Sequence, residues 1–435
     1  MTWRLGVRYP ELSRKDAKTQ RRSGTSRKNP MERIAVIGCG MRSESYMHHL
    51  QKELGREWVL VAVADPVPDR RKFYIHRFGS GGRVVEFKKG PELLRALKGK
   101  LDGVIIGSPN AEHLESAVPA FRQKLTILLE KPVATTVADC RTMWREYNKA
   151  GRPPLAVGFV LRYTPFYRAV LKLLAEGAVG RVLTIEASEL MGRDLTAMYL
   201  RGWRRFTAVS GPLLIEKCSH DLDLINAFAG AAPRRVQSFA TRTVFVPRAG
   251  TAQRCRDCRL RKTCPYSSRN IASYAIEQEC NGKKERIQSW DNDLCVFNCR
   301  KDIPDHQVAQ IEYANGVMAM FQVCMGQPRT TRTLRICGTE GQIRGDIGAE
   351  ELYFERPLAR KVETRRVRIE HDASGHHGGD SVISSCFKAM LRGRAVSPDA
   401  GLKEGIEACA VGFAAEESCR TGKAEKVEII AGQVY

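Results

Sequence analysis

Residues 211–223 read Gly-Pro-Leu-Leu-Ile-Glu-Lys-Cys-Ser-His-Asp-Leu-Asp. On one continuous helix Glu216 and His220 lie four residues apart and share a face, with Asp223 three further on. Histidine exchanges a proton near neutral pH, and a neighbouring carboxylate can orient its ring. The same spacing also suits a helix with a satisfied structural histidine. A second stretch, Glu130-Lys131-Pro132, follows an apolar run. Its lysine would stand at the carboxyl edge of an open parallel sheet, where such sheets bind ligands, although a lone lysine there is more often solvated. Gly107-Ser108-Pro109-Asn110, with His113, ends the preceding apolar run in the same way.

A third stretch, Gly38-Cys39-Gly40-Met41-Arg42-Ser43, has glycines spaced for a tight turn against a pyrophosphate at a helix amino terminus. Ser43 stands where the fingerprint has its third glycine. The context supports the motif: an apolar run precedes it, a helical stretch follows, and Asp65 ends the next run. The Asp65 carboxylate would accept from ribose hydroxyls and favour NAD, whereas Arg70 and Arg71 would attract the extra phosphate of NADP. The expected cofactor contacts are Gly38, Gly40, Met41, Arg42, Asp65, Ser108, Pro109, Asn110, His113, Glu130 and Lys131.

These motifs need a scaffold. Short apolar runs at 32–37, 58–64, 84–87, 102–107 and 126–129 alternate with helical stretches, the pattern of a doubly wound parallel sheet. Gly151-Arg152-Pro153-Pro154 marks a boundary, giving a Rossmann-type domain over 31–153. Afterwards helices are expected at 165–176 and 213–228, and strands at 182–190, 236–246, 307–313, 317–323 and 334–337. Asn315-Gly316 between two of these strands is a hairpin signal. Strands without regular crossovers predict an α+β domain over 154–435, built on one mostly antiparallel sheet.

The 435 residues suit two domains, and 43% hydrophobic with 27% charged content is ordinary for a globular chain. No run approaches the ~18 to 20 apolar residues of a membrane span. The formal charge is +23. Residues 1–30 contribute nine Lys/Arg against Glu11 and Asp16, which predicts a basic, unstructured extension. The remaining excess is diffuse, which suits anionic small molecules better than nucleic acid. No apolar export segment follows the basic residues, so a cytoplasmic protein is expected.

Fourteen cysteines are many for a reduced compartment. Cys255-x2-Cys258-x5-Cys264 lies in a cysteine-rich insertion over 248–301, followed by Cys280, Cys295 and Cys299. Thiolates so spaced can grip a structural zinc, with Cys295 or alternatively Cys299 as the fourth ligand. An iron–sulfur cluster or free or redox-paired thiols are the other readings. Gly375-His376-His377-Gly378-Gly379-Asp380 is a glycine-rich turn whose acid can cap the next helix. Asp302, Asp305 and His306 open a strand and form a polar cluster there, with a divalent-ion site as the alternative.

Taken together, Ala35 to Gly40, Ala64-Asp65-Pro66, Ser108-Pro109-Asn110 with His113, Glu130-Lys131-Pro132, Gly158 to Tyr163 and Glu216 to Asp223 resemble the glucose–fructose oxidoreductase and inositol dehydrogenase (Gfo/Idh/MocA) family. The resemblance spans roughly residues 31–427. It implies NAD(P)-dependent hydride transfer to or from a sugar, inositol or polyol carbon. It implies that the sheet of the second domain is large and open, and that a homo-oligomer buries it. It implies that Lys131 and His220 form the catalytic pair with Glu216 in support. It also implies that Arg162, Tyr163, Trp203, Arg204 and Asp223 line the substrate pocket, with the glycine-rich turn at its mouth. Family members usually carry Asp at the position of Glu216 and Gly at that of Cys218. Two other readings stand beside this one: an NAD-dependent glycosidase that oxidises its sugar transiently, and a non-enzymatic dinucleotide sensor or nucleic-acid scaffold.

Overall fold

A computed structural model describes residues 31–55, 57–79, 82–271, 275–280, 283–288, 292–370, 376–396 and 398–431. The expected basic extension at 1–30 lies outside them.

The first layer is a six-stranded parallel sheet: β1 (Glu32–Ile37), β2 (Trp58–Ala64), β3 (Val85–Phe87), β4 (Gly103–Ile106), β5 (Thr126–Leu129) and β6 (Leu155–Val157). Its spatial order is β3-β2-β1-β4-β5-β6. Residues 34–37, 103–106 and 126–129 are buried throughout. Parallel strands covered on both faces require such continuous apolar runs. The crossovers are α1 (Met41–Leu54), α2 (Pro68–Phe78), α3 (Gly90–Ala96), α4 (His113–Arg122) and α5 (Val137–Lys149). The boundary expected at residue 153 falls one strand early, because β6 pairs parallel with β5 and completes this sheet.

Beyond it come α6 (Pro165–Ala175), β7 (Val182–Gly192), α7 (Arg193–Arg201), and three short helices in close succession. These are α8 (Thr207–Ser210), α9 (Leu213–Glu216) and α10 (Ser219–Ala229). The continuous helix expected over 213–228 is therefore broken, since Cys218 leaves helical geometry at φ −100°, ψ 7°. β8 (Pro233–Thr241) stops before residue 246. Its successors turn away because the Asp305 carboxylate accepts from the amides of Val244 (2.8 Å) and Phe245 (2.9 Å).

β9 (Ala275–Cys280) and β10 (Lys283–Gln288) form a separate antiparallel ribbon in the cysteine-rich insertion. Then follow β11 (His306–Tyr313), β12 (Met318–Gln327), β13 (Thr331–Gly338), β14 (Gln342–Asp346), β15 (Glu351–Leu358) and β16 (Lys361–Arg366). The carboxyl-terminal part adds α11 (Gly379–Leu391), α12 (Leu402–Thr421) and β17 (Glu425–Lys426). The second sheet has nine strands in the order β16-β15-β14-β13-β7-β12-β11-β8-β17. Only its β7–β12 pair is parallel, so the expected open, mostly antiparallel sheet is present. The Asn315-Gly316 hairpin joins β11 to β12, with Gly316 at φ +85°.

One face of this sheet packs under α10 and α12, burying Ile311, Phe321 and Val323. The other face leaves Phe239, Val308, Met318 and Met320 exposed at 64%, 44%, 61% and 52%. α11 returns to the first domain and packs against α1. Its Ile383, Phe387 and Met390 join Ile34, Val36, Tyr46 and Met47 in one core. A Cβ on Gly103 would meet the Leu391 side chain at 2.5 Å, so α11 packs close over that strand position.

Candidate active site

The loop after β1 is built for close approach. Gly38 sits at φ +84°, and a Cβ there would lie 2.4 Å from the backbone of Gly107 and Ser108. Gly40 precedes α1, no side chain caps that helix, and nothing lies within 4 Å of where a Cβ would be. Uncapped amides at the start of a 14-residue helix, facing open space, suit a pyrophosphate. The missing third glycine is compensated across the crevice. A Cβ on Gly107 would meet Ser43 Oγ at 2.3 Å, so the hydroxyl fits because its neighbour has no side chain. Met41 packs against the core cluster of the first domain.

Asp65 is 4% exposed. Its carboxylate accepts from Cys39 N (2.9 Å) and Val67 N (2.8 Å), tying the glycine loop to the end of β2. Arg70 stands 3.9 Å from it, and Arg71 donates to the Asp65 carbonyl and to Glu86. Arg42 turns inward. It grips Asp380 with both terminal nitrogens (2.9 and 3.1 Å), and its Nε reaches Glu130 at 3.2 Å. Tyr46 donates to the same Glu130 oxygen, and Ser45 to Asp380 (2.8 Å). The start of α11 is thus locked onto the start of α1.

The strand-end residues divide into two kinds. His113 is fully buried, with its nitrogens 2.8 Å from the Pro132 carbonyl and 3.0 Å from that of Ser108. It clamps two loops together rather than facing the crevice, a correction to its expected cofactor contact. Asn110 donates to the Ser210 carbonyl (2.7 Å) and so joins this rim to α8 in the second domain. Ser108 Oγ, next to Pro109, is buried without a hydrogen-bond partner among the described residues, which fits a polar ligand at this edge. Glu130 Oε2 accepts from Lys131 N at 3.1 Å.

Lys131 reaches across to the second domain. Its ammonium donates to the Glu216 carbonyl and stands 4.0 Å from the Glu216 carboxylate. Burial lowers the Lys131 pKa, against the opposing pull of Glu216 and Glu130. Glu216 also accepts from Arg204 Nε at 2.7 Å, and the Arg204 guanidinium lies over the Trp203 ring at 4.5 Å. Burial alone would raise the Glu216 carboxyl. Lys131 and Arg204 outweigh it and hold the group below its ordinary value. Because the helix breaks at Cys218, the ion-pair partners of Glu216 are these two cations. The expected Glu216–His220 pairing on one helical face is not made.

His220, 8% exposed, opens α10 with its ring edge-on to Phe159 at 5.7 Å. Its Nδ1 is buried without a partner among the described residues. Burial, then the charges of Lys131 and Arg332, push the ring well below the ordinary imidazole pKa. Beneath it lies a buried four-charge network that sequence reasoning missed. Lys217 pairs with Glu189 at 2.9 Å, and Arg332 binds both Glu189 and Asp221, the latter at 2.8 Å. The available signal was an acid and an arginine on inward positions of β7 and β13.

Arg162 and Asp223 pair bidentately with each other at 2.6 and 2.7 Å, and Arg162 also donates to the Asp399 carbonyl. Tyr163, 2% exposed, accepts from Asp399 N at 3.1 Å. These three expected pocket residues are instead an internal brace, because each spends its polar atoms on protein partners. Arg204 stands beside Glu216, with Trp203 stacked under its guanidinium. His376 Nδ1 lies 3.1 Å from Asp380, and the charge of His376 acts on His220, so the glycine-rich turn borders this site; Gly375 lies outside the described residues. Asp302 accepts from Thr207 N (2.8 Å) and His306 pairs with Asp305 (2.7 Å), so that cluster is spent on structure.

Residues 32–159 match the family description "Oxidoreductase family, NAD-binding Rossmann fold", and residues 171–429 match its "C-terminal alpha/beta domain". YteT of Bacillus subtilis (strain 168), named as an oxidoreductase, is 24% identical over 91% of this chain and 97% of its own. The inositol 2-dehydrogenase of Rubrobacter xylanophilus is 30% identical over 44% of this chain and 51% of its own. A solved structure of levoglucosan dehydrogenase with NADH and L-sorbose has the same fold, at TM-score 0.70 and 19% identity, over 92% of this chain and 100% of that one. With both of its domains matched, the chain belongs to the Gfo/Idh/MocA family of NAD-binding oxidoreductases.

Proposed function

We propose that this protein is an NAD(H)-dependent dehydrogenase that oxidises a secondary hydroxyl of a sugar, inositol or related polyol, or runs the reverse reduction. What supports the reading is Lys131, which follows β5 and is anchored on Glu216, together with the buried His220, whose ring stands beside Phe159 just after β6 and feels the Lys131 charge. The nicotinamide, when bound, supplies the hydride acceptor or donor. Gly38, Gly40 and the first amides of α1 would hold the pyrophosphate, and Asp65 would stand at the ribose end. NAD(H) is proposed over the phosphorylated cofactor because the Asp65 carboxylate opposes a further phosphate, although Arg70 lies within reach of it.

His220 is suited to take the hydroxyl proton, since an imidazole held neutral has a free lone pair. Lys131 stays close enough to donate to the same oxygen as negative charge develops there. Glu216 keeps Lys131 charged and placed, and Arg204 keeps Glu216 placed. Trp203 and Arg204 are the proposed substrate contacts.

A second copy of the chain is the proposed cover for Phe239, Val308, Met318 and Met320. An apolar strip of this kind on one sheet face marks an association surface.

The test is incubation with NAD or NADP and a panel of sugars, inositols and aryl glycosides, reading reduced cofactor and released aglycone together. Reduced NAD without cleavage supports the proposal. Cleavage without net reduction assigns a glycosidase instead, and calorimetry that finds neither dinucleotide binding removes the reading.

A further inference from the structure

The insertion over 248–301 brings four cysteines to one place. Cys255, Cys258, Cys264 and Cys295 line a single cavity of about 20 Å³. The backbone arranges them. Cys258 N donates to the Cys255 carbonyl (3.2 Å), closing the turn between the first two. Cys255 N donates to Asp293 O (2.7 Å) and Cys295 N to Gln253 O (2.9 Å), which sets the fourth thiol beside that turn. None of the four is in a disulfide.

Two buried cations flank the cluster. Arg201, 2% exposed, donates to the carbonyls of Leu294 (2.7 Å) and Tyr266 (2.6 Å), and its guanidinium lies 3.5 Å from Cys255 Sγ. Lys301, 8% exposed, donates to the carbonyls of Phe297 (2.8 Å) and Cys299 (3.0 Å). Among the described residues neither cation has a carboxylate partner. A buried cation without an anion is strongly unfavourable. The thiols are the nearby groups able to supply negative charge.

We propose that Cys255, Cys258, Cys264 and Cys295 bind one zinc ion as four thiolates, at a structural site apart from the catalytic crevice. Binding sends the four thiol protons to solvent. The resulting tetrathiolate complex keeps two negative charges; Arg201 lies against Cys255, and Lys301 stands beside Cys299 at the edge of the cluster. No histidine or carboxylate lines the cavity, a donor set that selects a soft-ligand metal over calcium or magnesium. As they stand, no three His, Cys, Asp or Glu side chains among the described residues are grouped to hold a metal. Zinc–sulfur bonds of about 2.3 Å draw the thiols into the cavity that they already line. Cys299 is not the fourth ligand, because its thiol faces the Leu200 carbonyl at 3.1 Å, away from the cavity wall.

The site also has a purpose in the fold. Arg201 ends α7, and Arg205 donates back to the carbonyls of Arg201 and Gly202. Between them the chain presents Arg204 to Glu216. Metal bound at the four thiols therefore steadies the segment that carries Arg204.

The experiment is elemental analysis of the full-length protein, purified with reductant and without chelator, followed by cobalt(II) reconstitution. About one zinc per chain and intense thiolate-to-cobalt absorption are expected of a four-thiolate site. Cys258→Ser and Cys264→Ser should each lower bound zinc roughly fivefold or more, while Cys324→Ser, outside the cluster, leaves it unchanged. If the variants fail to fold, the wild type still decides: zinc released by a thiol-blocking mercurial must rise in step with about four thiols. Zinc and iron both under about one-tenth per chain with no cobalt band overturn the proposal, as does iron with inorganic sulfide in place of zinc.

Discussion

Arg204 holds Glu216 through a 2.7 Å hydrogen bond, so the carboxylate that steadies Lys131 is itself steadied from the second domain. The relay joins the two domains at the site, beside the packing of α11 on α1. Arg204→Ala should leave Glu216 in place but loosen it. A fall in kcat of about tenfold with a rise in KM is expected, since Arg204 is also a proposed substrate contact. Steady-state kinetics checks both, and an unchanged kcat and KM would remove Arg204 from the site.

Lys131→Met should cost about 10²- to 10³-fold in kcat, the usual loss when a donor to a developing oxyanion is removed. It should also move the acid limb of the pH–rate profile. The Lys131 charge helps depress the His220 pKa, so its loss raises that pKa and shifts the acid limb upward. Residual activity measured between about pH 4 and 8 tests the sign around the ordinary imidazole value.

His220→Asn should lower kcat by about 10²- to 10⁴-fold with little change in dinucleotide affinity. The buried ring also links folding to pH. Its folded pKa lies well below 6.5, so below that value the unfolded chain takes up a proton that the fold resists. Wild-type stability should therefore fall faster than that of His220→Asn as the pH drops below about 6.5, by denaturant titration.

Asp380→Asn leaves the Arg42 guanidinium without its bidentate partner. Asp380 is 1% exposed and Arg42 25%, so a loss of about 2 to 3 kcal/mol is expected, less than for a fully buried pair. The acid titration gives a second readout. Arg42 and His376 overcome the cost of burial and hold the Asp380 carboxyl below its ordinary value. Its contribution is present above that value and lost as the pH falls further, a loss the Asn variant should not show.

Met320→Arg combined with Val308→Glu places charge on the exposed sheet face. If a second copy covers that face, light scattering should show the variant as a smaller species than the wild type. Two proteins of equal size would leave the strip without that partner.

The parallel sheet was legible because its strands are uninterrupted apolar runs, and the hairpin because Asn-Gly names its own turn. Strand-end and spacing signals singled out Lys131 and His220, whose catalytic roles are proposed. The roles of Arg162, Tyr163 and Asp223 were not legible, since a side chain facing a pocket and one bracing the interior have the same letters. The helix break at Cys218 was hidden by an apolar pattern that continues through it. It changed the partner of Glu216 from a histidine to two cations. The Glu189–Arg332 network was out of reach because its members come from strands far apart in sequence.

The return of α11 onto α1 has a consequence for how the molecule is made. A chain emerging from the ribosome presents the nucleotide-binding half first, yet Ile383, Phe387 and Met390 complete that half's core. Until residue 391 has been synthesised, Ile34, Val36 and Met47 lack part of their cover. An early segment of the chain is thus among the last to be finished, and nascent chains stalled before α11 would expose a sticky face to chaperones.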